Sequence, residues 1–226
     1  MEVNKQILVI SFLITLTLFI SVLFVGSVMN NRRYAYINSQ FNELYSKFNE
    51  MQTFFLMANS YGDKMACLAF EKKLQEMDKF LWNLGRKIDT YRAASEQFQK
   101  DLYYLQQKKI FNQQELSYLM MIRTLKERCD LKQTIILFFY KNADECKKCD
   151  DQSFVLTDIN KKLDPELAIF SFDMDLNLTS LKVLADYYGI DKYPCTIIED
   201  HKFCGMQDKT FILKKLCEYS PWISIC

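Results

Sequence analysis

The sequence predicts an α+β protein: an N-terminal transmembrane helix, an antiparallel helical hairpin or three-helix bundle, and a C-terminal α/β domain of order β-α-β-α-β-β-α. Three observations lead there. An uncharged apolar run extends from Ile7 to Met29, apolar residues then recur at steps of three and four, and β-branched and aromatic runs begin only after Asp130. The 226 residues include 5 Gly and 3 Pro, too few turn formers for a sandwich or barrel of many short strands. Lys and Arg number 29 against 28 Asp and Glu, interspersed along the chain, so no nucleic-acid partner is expected. Half the residues are apolar, which argues against disorder.

The expected boundaries are an N-terminal flank at 1–6, a transmembrane helix at 7–29, a coiled-coil-like helical stalk at 30–130 and the α/β domain at 131–226. At about 1.5 Å per residue the apolar run reaches roughly 35 Å, enough to cross a bilayer with some tilt. A cleaved signal peptide is the alternative. Its apolar region would be shorter and end at a small-x-small site, a poor match to Phe24, Val25 and Met29. Two signals disagree on orientation. Lys5 and the amino terminus set against Arg32 and Arg33 weakly favour a cytoplasmic bulk domain, whereas eight Cys favour an oxidising compartment outside the membrane. The cysteine signal is given the greater weight, so the expectation is a single-pass cell-membrane protein with an extracytoplasmic C-terminal domain.

Tyr34, Ile37, Phe41, Leu44, Phe48, Met51, Phe55 and Ala58 form a heptad seam, broken near Gly62. A second seam runs through Phe70, Leu74, Met77, Leu81, Leu84, Ile88, Tyr91, Ser95, Phe98, Leu102 and Leu105. A third helical stretch, from about Asn112 to Arg128, carries Leu116, Tyr118, Leu119, Ile122 and Leu125 in a less regular pattern. Antiparallel neighbours can satisfy these seams within one chain, and a homodimer through the stalk is the alternative. Cys67 opens the second helix and Cys129 closes the third, so an up-and-down arrangement makes them a candidate structural disulfide; buried free thiols are the other reading.

Thr134 to Tyr140 is a continuous β-branched and aromatic run suited to a strand buried on both faces. A polar turn leads to Cys146-Lys147-Lys148-Cys149, and Phe154, Val155, Ile159 and Leu163 follow at helical spacing. Next come a strand at 167–172, a helix from about Thr179 to Tyr188 capped by Gly189, strands at 195–198 and 202–205, and a closing helix from Lys209 to Tyr219. A Cys-x-x-Cys pair can be half of a zinc site, but no second pair exists, and His201 reads as a solvated turn residue. No metal and no cofactor are therefore expected.

This order, with Cys-x-x-Cys after the first strand and Tyr193-Pro194 at the start of the third, resembles the thioredoxin-like family over about Leu131 to Tyr219. The resemblance implies a cis Pro194, with the backbone of Tyr193 beside Cys146 to pair with an extended substrate. Cys146, at the entrance to a helix, is the expected nucleophile, its thiolate stabilised by the helix dipole and backbone amides; Cys149 is the expected resolving thiol. Lys147 and Lys148 favour the thiolate and Glu145 opposes it. Glu145 stands where the family carries an aromatic residue, Lys-Lys replaces Gly-Pro, and Tyr140 occupies the position of a buried acid in thioredoxin.

Cys195 could exchange with the reactive pair or bridge to Cys204; Cys204 could equally pair with Cys217, and Cys217 with Cys226, so all four stay unassigned. Asn177-Leu178-Thr179 fits an N-glycosylation sequon. The functional expectation is a membrane-anchored thiol–disulfide oxidoreductase that oxidises or isomerises protein thiols and disulfides with an unknown redox partner. The alternative is a non-catalytic scaffold or adaptor that binds a protein through its stalk.

Overall fold

The structure, a computed structural model, describes residues 5–94 and 102–226. Ser95 and Phe98 of the second seam, and the side chains of Arg33, Ala58 and Tyr91, lie outside the described residues. The chain is mostly helical with one small mixed four-stranded sheet, and it divides into two compact units, 1–47 and 48–226.

Helix α1 (Lys5–Tyr61) has no Pro to interrupt it. It is long and apolar enough to cross a membrane, and its apolar side chains from Ile7 to Met29 are exposed. Gly62, at φ +87°, adopts the left-handed conformation that glycine tolerates without a Cβ clash and separates α1 from α2 (Asp63–Ala94). The α2 side chains at three-and-four spacing from Phe70 to Ile88 are buried. Helix α3 (Leu102–Cys129) begins ten residues before the start expected near Asn112. Leu102 and Leu105, expected on the second helix, therefore belong to the third. The three-and-four spacing runs through the sequences of both helices, so periodicity alone does not mark where one ends and the next begins. Gly85 brings α2 close to α3, since a Cβ there would lie 3.0 Å from Phe111 Cζ.

The sheet has the order β2-β1-β3-β4. Strand β1 (Thr134–Tyr140) pairs in parallel with β2 (Leu167–Asp173) and antiparallel with β3 (Cys195–Ile198), which pairs antiparallel with β4 (His201–Cys204). Every β1 residue but Tyr140 is buried, as its unbroken apolar sequence requires. Ile136 and Phe138 face α4 (Cys149–Leu163) and α6 (Lys209–Tyr219), joining Leu156, Ile159, Ile212 and Leu216 in one core. On the opposite face Phe139 meets Phe172 at 5.4 Å between ring centroids, and Phe170 meets Tyr118 of α3 at 5.9 Å. A short 3-10 turn (Met174–Leu176) and α5 (Thr179–Tyr187) connect β2 to β3.

The turn between β3 and β4 holds Glu199 and Asp200 at φ +43° and +69°, the primed geometry that suits a two-residue hairpin. Their carboxylates anchor it: Glu199 Oε1 accepts from the Ile135 backbone N–H at 2.9 Å and from Lys126 Nζ at 2.5 Å, and Asp200 Oδ1 accepts from Arg123 and from the Tyr188 hydroxyl, each at 2.6 Å. His201, read as a solvated turn residue, is exposed but is the first residue of β4 rather than part of the turn, and it stacks on Tyr219 at 3.9 Å between ring centroids.

Helix α3 also covers the outer edge of β2. Glu115 Oε1 accepts from the Ser171 backbone N–H at 3.2 Å and Asn112 Oδ1 from that of Asp173 at 2.9 Å. Residues one turn apart on a helix thus satisfy alternate donors of an edge strand that has no second strand partner. The helices α2 and α3 and the sheet share one unit.

Candidate functional site

Strand β1 delivers the chain into an eight-residue loop, 141–148, that leads through Cys146 to Cys149 at the start of α4. Asn142 organises it. Its side-chain Oδ1 accepts from the backbone N–H groups of Asp144 at 3.0 Å and Glu145 at 3.2 Å, and its backbone oxygen accepts from Cys146 N at 2.8 Å. Asn is suited to this role because its short side chain reaches the backbone two residues on. The Asn142 N–H in turn donates to Asp175 Oδ2 at 2.7 Å, which ties the loop to the chain just past β2.

Cys146 and Cys149 are disulfide-bonded, with Cα atoms 5.4 Å apart, and they are 4% and 2% exposed. The expectation that Cys146 itself stands at the helix N-terminus needs correction. Helix α4 starts at Cys149, Lys148 is its N-cap without a side-chain cap, and Cys146 lies in the turn before it, where its carbonyl accepts from Cys149 N at 3.2 Å. Asp150 and Asp151 in the first turn also occupy the positive end of the helix dipole. Burial is nearly equal for the two cysteines, so depth does not set Cys149 apart.

The charges around the pair are largely matched. Glu145 pairs with Lys141, whose pKa is raised chiefly by that hydrogen bond, and Lys148 pairs with Asp151 at 2.9 Å. Lys147 is exposed, and no ion-pair partner for it occurs among the described residues.

The Tyr193–Pro194 bond is cis, as is Asp164–Pro165. Lys141 Nζ lies 5.6 Å from the centroid of the Tyr193 ring, so the loop before Cys146 and the loop before β3 are neighbours. Burial pushes the Tyr193 phenol up, with Lys141 opposing the shift. The Pro194 carbonyl accepts from Gly205 N at 2.7 Å.

The other cysteines form three further disulfides. Cys195 on β3 faces Cys204 on β4 in register and is bonded to it. Cys217 of α6 bonds to Cys226, and Cys67 in the first turns of α2 bonds to Cys129 at the end of α3.

Sequence reasoning missed several residues around the pair. Gln152, one turn past Cys149 and fully buried, accepts through Oε1 from Gln207 N at 2.7 Å and links α4 to the β4–α6 connection. Lys108 of α3 is buried in an ion pair with Asp173, and its Nζ lies 5.3 Å from the Tyr140 ring centroid. The available signal was the inward stripe of α3, where Lys108, Asn112 and Glu115 stand at helical spacing with Tyr118 and Ile122.

No protein family and no curated protein matches the chain. Solved structures similar to it include a malarial protein at 17% identity, with 39% of this chain and 97% of that one covered and a TM-score of 0.33. Thioredoxin-2 of the malaria parasite, a component of its protein secretion machinery, is similar at 16% identity over 38% of this chain and 82% of its own, with a TM-score of 0.33. Chloroplastic thioredoxin z is similar at 16% identity over 42% of this chain and 86% of its own, with a TM-score of 0.34.

Proposed function

We propose that this chain is a membrane-anchored thiol–disulfide oxidoreductase whose α/β region works in an oxidising, extracytoplasmic compartment, where it oxidises or isomerises protein disulfides through Cys146 and Cys149. The observation that carries the reading is the Cys146–Cys149 disulfide between a buried strand and the first turn of α4, beside the loop of the cis Tyr193–Pro194 bond. Pairing of all eight cysteines, together with an apolar helix long enough to cross a membrane, supports the compartment.

In the oxidising direction a substrate thiolate attacks Cys146 Sγ. A mixed disulfide forms, the Cys146–Cys149 bond breaks, and its electron pair leaves on Cys149. A second substrate thiolate then attacks the substrate sulfur of the mixed disulfide and releases Cys146 as thiolate. The substrate has lost two electrons and the pair has gained them; a low-molecular-weight disulfide such as oxidised glutathione takes them back. In isomerisation the Cys146 thiolate attacks a substrate disulfide and is later displaced, with no net electron transfer. The thioredoxin-like resemblance implies that the backbone of Tyr193 pairs with an extended substrate. Lys147, Lys148 and Glu145 tune the Cys146 thiolate.

The burial of both sulfurs favours a second reading, a structural bridge in a scaffold that binds a protein partner or a second copy of itself through the helical stalk. Replacing Cys149 with Ser separates the two. The enzyme reading expects mixed disulfides trapped through Cys146, released by reductant and lost in Cys146→Ser; a trap-free Cys149→Ser protein in an oxidising compartment contradicts it.

A further inference from the structure

A buried ion pair is an expensive way to hold a helix against a sheet, because well-packed apolar residues do so without desolvating two charges. Lys108 and Asp173 nevertheless form one, at 5% and 6% exposure, where α3 crosses the end of β2. The pair's consequence lies downstream. Lys108 and the Asn112 side chain hold Asp173 from two directions, the ammonium at Oδ2 and the amide oxygen at the backbone N–H. Asp173 Oδ1 accepts from Asp175 N at 2.9 Å, Asp175 Oδ2 accepts from Asn142 N at 2.7 Å, and the Asn142 carbonyl accepts from Cys146 N at 2.8 Å. Lys141, which pairs with Glu145 beside Cys146, also reaches Asp175 at 4.0 Å. The sequence from Lys108 to Cys146 is thus a continuous run of polar contacts that begins on a helix outside the α/β element order and ends on the backbone of the proposed nucleophile.

We infer that Lys108, through Asp173, Asp175 and Asn142, is a positioning residue for Cys146, so that the docking of α3 sets the conformation and reactivity of the redox loop. The inference deepens the oxidoreductase reading and rests on it. Lys108 touches neither sulfur; it acts by fixing carboxylates that fix the loop. Its charge has a second effect. Removing the ammonium leaves the Asp173 carboxylate uncompensated near the loop, which disfavours a thiolate on Cys146.

The test uses the full chain with Lys108→Met, Lys108→Arg, Asp175→Ala and wild type, read in two ways. Amide hydrogen exchange at Asn142 and Cys146 in the disulfide form is expected to quicken about tenfold in Lys108→Met and in Asp175→Ala and to return toward wild type in Lys108→Arg. After reduction, the pH midpoint for alkylation of Cys146 is expected to move up by about half a unit in Lys108→Met and to be rescued by Arg. Exchange at Asn142 and Cys146 unchanged in both loss variants overturns the inference. So does a fall in global stability with an unmoved alkylation midpoint, the signature of a merely structural ion pair. Asp175→Ala guards against misfolding of Lys108→Met, since Asp175 lies outside the buried pair. If the wild-type disulfide proves inert to glutathione while the exchange effects appear, the oxidoreductase reading fails and the contact chain to the loop stands.

Discussion

The phenolic hydroxyl of Tyr118, on α3, donates to the carboxylate of Asp78, on α2, at 2.8 Å, and that carboxylate also accepts from Gln133 Nε2 at 2.7 Å. Tyr118 is 1% exposed, and Asp78, half-buried, lines the same cavity. Burial pushes the Asp78 carboxyl up to about 6 against the two hydrogen bonds that lower it, and Asp164 adds to the rise.

A carboxyl whose folded pKa is raised favours folding when protonated. Its contribution is fully present below the ordinary carboxylate range and is lost as pH rises through about 6. Taking wild type from pH 7.5 to 4 should therefore gain about 1–3 kcal/mol from this group, set against losses from other carboxylates. Asp78→Asn is expected to be more stable than wild type at pH 7.5, because Gln133 can turn its unpaired Oε1 toward the new amide, and the difference should shrink toward pH 4. Urea unfolding of both proteins at the two pH values measures it; a constant difference contradicts the account.

Asn112, at 1% exposure, supplies the acceptor for the Asp173 N–H. Asn112→Ala leaves that donor buried without a partner, at a cost of about 1–3 kcal/mol. Gln113→Ala, on the exposed side of the same helix, should change stability by less than about 0.5 kcal/mol. Chemical unfolding of the two variants supplies the comparison, and equal effects would remove the edge-covering role.

The Cys67–Cys129 bridge closes a span of 62 residues and Cys217–Cys226 one of 9. Loop-closure entropy assigns about 4 kcal/mol to the first and about 2–3 kcal/mol to the second. The Cys67→Ser, Cys129→Ser protein should therefore unfold at lower denaturant than Cys217→Ser, Cys226→Ser. The reverse order would mean that local packing around the tail outweighs chain entropy.

With Lys148 paired to Asp151 and Glu145 to Lys141, Lys147 is the cation near the motif whose charge is least offset. Lys147→Gln is expected to raise the alkylation midpoint of Cys146 by a few tenths of a pH unit, and Lys148→Gln by at least as much, since losing Lys148 leaves the Asp151 carboxylate uncompensated at the helix start. Thiol alkylation across pH 5 to 9 on reduced protein reads both; a midpoint unmoved in both variants would contradict the charge assignment.

The limits of β1 were legible because a strand buried on both faces announces itself as an unbroken apolar run, and α6 was legible from its amphipathic spacing. The Cys146 to Cys149 segment was legible as a motif after a strand, yet its offset from the helix was not, because nothing in Cys-Lys-Lys-Cys states which residue takes the first helical φ and ψ. The pairing of Cys195 with Cys204 depends on a two-residue turn of Glu199 and Asp200, one residue before the turn expected at Asp200 and His201, held at positive φ by partners on α3 and β1 and by Tyr188 at the end of α5. The contacts of Lys108, Asn112 and Glu115 with β2 span 56 to 65 residues and exist only once the helix lies along the strand. Local periodicity carries no record of that placement; the polar interruptions that made α3 look irregular were its trace.

The central claim is that Cys146–Cys149 differs in kind from the three other disulfides. Equilibration of the full chain in glutathione buffers, followed by differential alkylation and mass spectrometry of each cysteine, tests it most directly. The account predicts that Cys146 and Cys149 convert together to thiols between about −120 and −230 mV, the range of catalytic pairs, while Cys67–Cys129, Cys195–Cys204 and Cys217–Cys226 stay oxidised. A Cys146–Cys149 bridge that remains intact below about −300 mV, as structural disulfides do, would contradict it.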